Sequence, residues 1–587
     1  MNVSLFALRR AVLIAVLIAV PAWTLVRAQS PRPMTFLDMQ QMRQVANETP
    51  SPDGKWMLYT LSTPDWKEAK RQTDIYLVSL QQGVASTKQM TFTKEKNETS
   101  PRWAHDGSFF VFLSNREAPE SASSRNQLYV MRPDGGEARR ISDAKEGVSE
   151  FAFSDDGRWV AFRSGKSGEE QLYSLPGNLP DGAVAEQITK HPTGVRSWQW
   201  APDGKRIYFA TPDTIDSDEK ARRDKKFTVN IRNPETPVAS LWALDVAARS
   251  TKRLTDDSAY SVDDFTISKD SKWIGFRGLS PNRYKRGITQ ENLYSDVYLL
   301  EAATGSIERL TNNTEVGESG LSFSPDSTQI AFSGPDDMVN YGMSNNRVYV
   351  RAIADKGKPF KKLGDSFDGD VSIGFWSKDG STIYFNEGIK ATNQIVALDV
   401  RYNNVRPLTE EKASVSIEED AKTGVLLINY SDGTTPTTVF TVDKVADAST
   451  RKSWRQLTDP NPQVRGFALG QQEEITWKSK DGTQVGGVLV KPVGYRAGQR
   501  YPLIVAIHGG PASADILSFN GGYGSQVYAG AGYVVLRPNY RGSTNYGFKL
   551  KTDIVGNYMA PGYDDIMAGV DYLIAQGIAD PDRMGAL

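Results

Sequence analysis

The feature that most constrains this chain is a phrase repeated seven times between about Pro50 and Pro460. It consists of apolar or aromatic residues, then Ser or Ala, any residue, Asp and Gly or Ser, then a short strand. The copies are SPDGKWMLYT at Ser51, WAHDGSFFVF at Trp103, FSDDGRWVAF at Phe153 and WAPDGKRIYF at Trp200, followed by ISKDSKWIGF at Ile267, FSPDSTQIAF at Phe323 and WSKDGSTIYF at Trp376. Their aspartates, Asp53, Asp106, Asp156, Asp203, Asp270, Asp326 and Asp379, are separated by 53, 50, 47, 67, 56 and 53 residues. A second phrase follows each copy: a strand such as IYLVSL or LWALDV, a turn, then a strand ending near Leu-Thr. It ends eight times, at Met90, Ile141, Ile188, Leu254, Leu310, Leu363, Leu408 and Leu457. The unmatched eighth copy is partnered by the degenerate EDAKTGVLLINY at Glu419, in which Thr423-Gly424 stands in for Asp-Gly.

The physical meaning is direct. Asp-Gly and Asp-Ser turns join antiparallel strands tightly, because Gly accepts positive φ and Asp bonds its own backbone. Alternating Trp, Phe, Ile and Val on either side fit half-buried strands. Four short strands per ~50 residues, repeated eight times, describe an eight-bladed β-propeller. A string of independent β domains fails, since one such unit could hardly bury its own core. The longest interval holds an insertion, Asp213 to Pro237, with the charge run SDEKARRDKK. Such a run reads as a solvated loop, with a flap near an opening or a subunit contact as alternatives, which leaves a homo-oligomer open. Calcium loops are the poorer account of the Asp-Gly phrases, since no copy carries alternating acids with a distal Glu.

Composition removes whole classes of chemistry. The chain of 587 residues has no cysteine, which excludes disulfide frameworks, thiol nucleophiles and thiolate metal sites. Its three histidines, His105, His191 and His508, lie far apart, with no HExxH motif, so neither a metal nor another cofactor is expected. A net charge of −1 gives no basic excess for nucleic-acid binding. Met1 to Ala28 reads as an export signal. Arg9 and Arg10 precede the apolar run Ala11 to Val20, and Val26-Arg27-Ala28 predicts cleavage before Gln29. The expected product is periplasmic or extracellular, with no stable membrane anchor once the signal is removed.

After Pro462 the rhythm changes. A hairpin is expected at Glu473 to Pro492. A buried strand follows from Tyr501 to Ile507, running into His508-Gly509-Gly510-Pro511. A helix is expected over Ser518 to Ala531, a second buried strand from Gly532, and a helix over Tyr563 to Gln576 whose Ile566, Val570, Leu573 and Ile574 share a face. ADPDRMGAL starts another strand. Continuous apolar strands alternating with helices indicate a doubly wound α/β sheet. A strand ending in His-Gly-Gly is specific within that class, since such a loop supplies an oxyanion-hole N–H in α/β-hydrolases. Small residues keep that amide open to the developing alkoxide. The chain thus divides into the signal (1–28), a propeller with its N-terminal segment (29–468) and an α/β-hydrolase part (469–587).

A propeller followed by HGGP, NYRGS and DDIMAGVDYLIAQGIADPDRMGAL resembles the prolyl oligopeptidase family of serine peptidases, nearest its dipeptidyl-peptidase and acylaminoacyl-peptidase branches. The resemblance implies a peptidase acting on short peptides. Its oxyanion loop would be His508, Gly509, Gly510 and Pro511, and Arg541, Gly542 and Ser543 would be scaffold beside the active site. In that family the strand after DPDRMG leads into G-W-S-x-G-G, whose Ser is the nucleophile, with the Asp and His of the triad later still. The sequence holds no G-x-S-x-G and no histidine after His508. The hydrolase part is therefore expected to be truncated before its nucleophile and inactive alone. A Glu pair binding a substrate amine belongs to the dipeptidyl branches; Glu169-Glu170 and Glu418-Glu419 lack the flanking pattern. A non-catalytic propeller scaffold, or an esterase on the same fold, are the competing readings.

Overall fold

The computed structural model describes residues 31–587 apart from 118–124, 215–216, 227–237, 257–259, 281–294, 313–316, 341, 511, 520 and 522. The expected export signal and Pro511 lie outside the described residues, as does much of the insertion, of which the helix Ser217–Asp224 is described.

Six separate four-stranded antiparallel sheets span 44–89, 98–140, 150–187, 197–253, 261–309 and 319–363. Two further four-stranded units, 375–407 and 414–456, are joined into one sheet by a single parallel pair, Asn393↔Ser414. These are blades 1 to 8. Between every consecutive pair lies an apolar core, as where Val111, Leu113 and Leu128 of blade 2 meet Phe151, Val160 and Phe162 of blade 3. The last core closes the circle: Met57, Tyr59 and Val78 of blade 1 pack with Leu427, Val439 and Leu457 of blade 8. At the same seam Arg455 Nε donates to Leu80 O at 3.1 Å. No blade buries its faces alone, so the ring is the stable unit.

The repeated phrase forms the hairpin between the first and second strands of each blade. In blade 1, Ser51 Oγ and the Lys55 N–H both donate to Asp53 Oδ1 (2.6 and 3.1 Å), and the Trp56 N–H donates to Ser51 Oγ at 3.0 Å. Gly54 sits at φ +65°, the left-handed conformation such a turn requires. Because strands alternate in direction, these turns all lie on one face of the ring. The turns between second and third strands lie on the other.

The C-terminal unit rests on that other face. Its strands are β1 (Gln472–Lys478), β2 (Gln484–Val490), β3 (Tyr501–Val505), β4 (Val534–Asn539) and β5 (Ala579–Ala586), in the order β1-β2-β4-β3-β5. β1, β2 and β4 are antiparallel neighbours, whereas β3 runs parallel to β4 and β5. Helix α1 (Ser525–Gly530) packs on one face, and α2 (Phe548–Thr552) and α3 (Ala560–Ala575) follow β4. Alternation explains the layering: Val534 and Leu536 join Val570 and Leu573 of α3, while Val535 joins Ala529 of α1. Helix is confined to Ser525–Gly530 where Ser518 to Ala531 was expected. Gly521 (φ +55°) and Gly524 (φ +72°) take the left-handed conformation, which ends helical backbone, and Phe519 packs instead on Met34 and Val464.

The two units are joined by specific contacts. The Lys390 N–H of blade 7 donates to Asn545 O (2.8 Å), and Gln526 Nε2 donates to Gly433 O of blade 8 (2.9 Å). Lys551 Nζ of α2 donates to Ser344 O (2.8 Å) and pairs with Asp370 at 3.4 Å. The chain's early segment returns to the junction, where Arg32–Pro33 pairs in parallel with Phe467–Ala468.

Candidate active site

The site is built at the C-terminal end of β3, where open α/β sheets present their ligand-binding crevice. Tyr501, Leu503 and Val505 are buried against α3, so this strand is anchored in the core and its end is fixed. Pairing continues just past the strand: the Ala506 N–H donates to Leu536 O (2.8 Å) and the Ile507 N–H to Leu587 O (2.9 Å). The backbone then turns out of the sheet at His508.

His508 is buried and held on several sides. Its ring stacks on Tyr540 at 4.8 Å between centroids and 17° between planes. Its Nε2 lies 3.1 Å from Ser543 Oγ, and its carbonyl accepts the Tyr540 hydroxyl at 2.7 Å. Burial pushes the imidazole below its ordinary value, with the charge of Asp515 opposing. A neutral ring carries one donor and one acceptor nitrogen, which suits a hydroxyl partner. The carbonyl contact also fixes the next peptide. Carbonyl and N–H point in opposite directions across a trans peptide, so the Gly509 N–H faces away from Tyr540.

Gly509 and Gly510 are exposed, and among the described residues no acceptor meets either amide. A Cβ at either position would meet nothing within 4 Å, so crowding by neighbours is not what demands glycine here. Gly510 requires it conformationally, at φ +53°. The loop thus offers two unoccupied N–H groups beside a neutral, immobilised imidazole, an arrangement able to receive an oxyanion.

Arg541, Gly542 and Ser543 form the turn after β4. Arg541 donates to Asp565 of α3 through Nε (3.1 Å to Oδ1) and Nη2 (2.8 Å to Oδ1), and its own N–H reaches Oδ2 at 2.8 Å. It also pairs with Asp481 in the β1–β2 turn, and these two carboxylates hold the guanidinium well above its usual range. The Gly542 N–H donates to Leu550 O at 2.9 Å, with Gly542 at φ +99°. Arg541 is therefore a clamp tying loop, hairpin and helix together, and Ser543, fully buried, is turned toward His508. The structure brings His508 and Ser543 into contact and leaves Gly509 and Gly510 open.

Sequence reasoning missed the groups behind this loop. Tyr540, directly before Arg541 in the NYRGS segment, is one. Asp515 is another: its N–H donates to Asn539 Oδ1 (2.7 Å) and its carboxylate meets the fully buried Arg537 at 3.3 Å. The Tyr could have been found from its place within the NYRGS segment; Asp515 has no local signal. The acidic pairs sit elsewhere. Glu170 accepts the Gly168 N–H at 2.8 Å within its own loop, and Glu418 and Glu419 lie on the first strand of blade 8.

Residues 518–587 match the model of the prolyl oligopeptidase family. The chain is 26% identical over 571 residues to an uncharacterized peptidase, YuxL, of Bacillus subtilis, covering 94% of this chain and 78% of that protein. It is 24% identical to dipeptidyl-peptidase 5 of Porphyromonas gingivalis, covering 100% of this chain and 79% of that one. Among solved structures, dipeptidyl peptidase 4 of Porphyromonas gingivalis matches with a TM-score of 0.63 at 14% identity, over 95% of this chain and 81% of that one. Acylaminoacyl peptidase of Pyrococcus horikoshii matches at 0.59 and 18%, over 93% and 73%. A propeller of eight blades, an α/β sheet ending in a His-Gly-Gly loop, and a family match over its last 70 residues agree, and the chain is similar along nearly its whole length to peptidases of the prolyl oligopeptidase kind.

Proposed function

We propose that this chain is the propeller and oxyanion side of an exported serine peptidase that hydrolyses short peptides, of dipeptidyl or acylaminoacyl type. The observation that carries the proposal is the pair of open amides at Gly509 and Gly510, held at the end of β3 by the Tyr540 and Ser543 contacts to His508. In the reaction a serine attacks the peptide carbonyl, a histidine takes and returns its proton, and the Gly509 or Gly510 N–H receives the developing alkoxide. His508 positions the loop rather than acting as base, since its ring is spent on Ser543 and Tyr540. Arg541, Gly542 and Ser543 hold the neighbouring turn.

The sequence has no G-x-S-x-G, so the nucleophile is assigned to a turn following Leu587, with the triad Asp and His beyond it. The ladder supports that placement: the Leu587 N–H donates to Val505 O (3.0 Å) while its carbonyl accepts from Ile507, so a continuing chain emerges beside His508. Residues 1–587 alone hold no base and no nucleophile of the family type and are expected to be inactive. Export rests on the Arg9-Arg10, Ala11 to Val20 and Val26-Arg27-Ala28 signature.

The test uses the coding sequence past Leu587 and the protein it encodes. An in-frame G-x-S-x-G within a few codons, followed by Asp and His, together with hydrolysis of dipeptidyl-arylamide or acylaminoacyl substrates, is expected. A stop codon at that point, or a complete protein with no turnover on either substrate panel, overturns the proposal.

A further inference from the structure

The eighth blade departs from the other seven at its first hairpin, and the departure has a geometric use. Each such hairpin is closed by an N–H that donates to the carbonyl five residues on: Ser51 to Trp56, Ala104 to Phe109, Ser154 to Trp159, and so on to Ser377 and Thr382. In blade 8 the Asp420 N–H donates to Val425 O at 2.9 Å over the same span. Counting from that bond, Lys422 stands where the other blades have Asp53, Asp106, Asp156, Asp203, Asp270, Asp326 and Asp379. The pairing of Thr423-Gly424 with Asp-Gly is thus corrected by one residue.

In seven blades the aspartate folds back and accepts the N–H two residues on, as Asp53 does from Lys55 and Asp379 from Ser381, both at 3.1 Å. In blade 8 Asp420 does this capping from the start of the turn, accepting the Thr423 N–H (2.8 Å) and hydroxyl (2.7 Å). Position 422 is released from its local duty and carries a long cation. That ammonium lies 3.0 Å from Asp155 Oδ1 in the equivalent turn of blade 3. Blades 8 and 3 are three steps apart on a ring of eight, so the pair crosses most of the channel mouth.

The rest of the mouth is arranged around the same turn. Charges of several blades act on one another here: Asp420 favours the Arg102 cation on the first strand of blade 2, and Lys378 of blade 7 and Lys269 of blade 5 oppose the rise that burial imposes on Glu419. Neighbouring turns also touch: the Asp203 N–H donates to Ser271 Oγ (3.2 Å) and the Asp270 N–H to Ser327 Oγ (3.3 Å). All these turns lie on the face opposite the α/β unit, which contacts blades 6 to 8 through the other set of loops.

We infer that Lys422 and Asp155 form a bar across the channel mouth farthest from the α/β unit, so that peptides are admitted on the hydrolase side and not through the propeller. The admission of peptides rests on the function proposed above; the bar itself does not. Both side chains are largely exposed, 63% and 44%, so the pair restricts passage without being needed for the fold.

Residues 1–587 contain no cysteine, so within them the introduced pair supplies the only thiols. In the full-length protein, Asp155→Cys and Lys422→Cys are combined and treated with a short bis-maleimide. An intramolecular link is expected, seen as faster migration on a denaturing gel and as a joined peptide in the mass spectrum. Failure of the pair to link, while each cysteine alone labels with N-ethylmaleimide, overturns the bar. The linked protein is then assayed on a dipeptidyl-arylamide, where kcat/KM within about twofold of the unlinked double variant is expected. A fall of about tenfold or more makes the far mouth the route and overturns the inference. Absence of turnover in linked and unlinked forms alike contradicts the peptidase function, while the link alone still decides the bar.

Discussion

Asp565 has no exposed surface and accepts three hydrogen bonds from Arg541, one from the backbone and two groups of the guanidinium. Removing it leaves a cation that is 8% exposed, met by the Asp481 carboxylate and by Ser479 Oγ at 3.3 Å. Asp565→Ala is expected to lower stability by about 3 kcal/mol in urea unfolding, and a loss under about 1 kcal/mol would contradict the clamp. A second residue gives a pH signature. Glu387, on the blade 7 strand facing α2, is pushed up to about 8 by burial and by Asp370, with Lys551 opposing. The folded protein keeps this proton to higher pH than the unfolded chain does. Its contribution is therefore complete below the ordinary Glu value and is lost as pH rises toward 8. Glu387→Gln should raise Tm relative to the parent at pH 8.5 and leave it nearly unchanged at pH 4; equal effects at both would refute the assignment. Neither residue was legible beforehand. Asp565 lay in the quoted DDIMAGVDYL segment, but nothing local says that its carboxylate reaches a turn 24 residues earlier.

At the scale of elements, the Asp-Gly turn was the most legible part of the chain, because its chemistry is local: Ser51, Asp53 and Gly54 satisfy one another within four residues. The same locality gives a comparison. Gly54 has φ +65° with open space around its missing Cβ, whereas Gly83 has φ +62° and would place a Cβ 2.4 Å from Gln456 O at the seam between blades 1 and 8. Gly54→Ala should cost about 1 kcal/mol and Gly83→Ala about 3 kcal/mol in chemical denaturation. Equal costs would mean that the seam yields to the added carbon. The expected helix over Ser518 to Ala531 shows the converse. Its glycines are set by tertiary neighbours: Gly521 lies where a Cβ would be 2.2 Å from Arg537 Nη1, a contact no window of sequence contains. The strands β3 and β4 were legible because burial on both faces leaves continuous apolar runs.

For the whole molecule, the eight inter-blade cores make the ring one cooperative body, and the α/β unit is seated on it through backbone and side-chain bonds to blades 6 to 8. The loop at Gly509 and Gly510 opens at the end of β3, beside Leu587. Ring and sheet could be read from period and pattern. The closure at the Leu80–Arg455 seam and the seat of the second unit could not, since they depend on contacts 93 to 375 residues apart. The central claim is that this loop serves a serine nucleophile borne on the turn after β5. The most direct measurement is labelling of the full-length protein with a fluorophosphonate, followed by mapping of the modified residue. The account predicts a single labelled serine in a G-x-S-x-G turn directly after Leu587, with label and peptide turnover lost together on Ser→Ala. A protein that turns peptides over with no label there, or with label at Ser543, would contradict it.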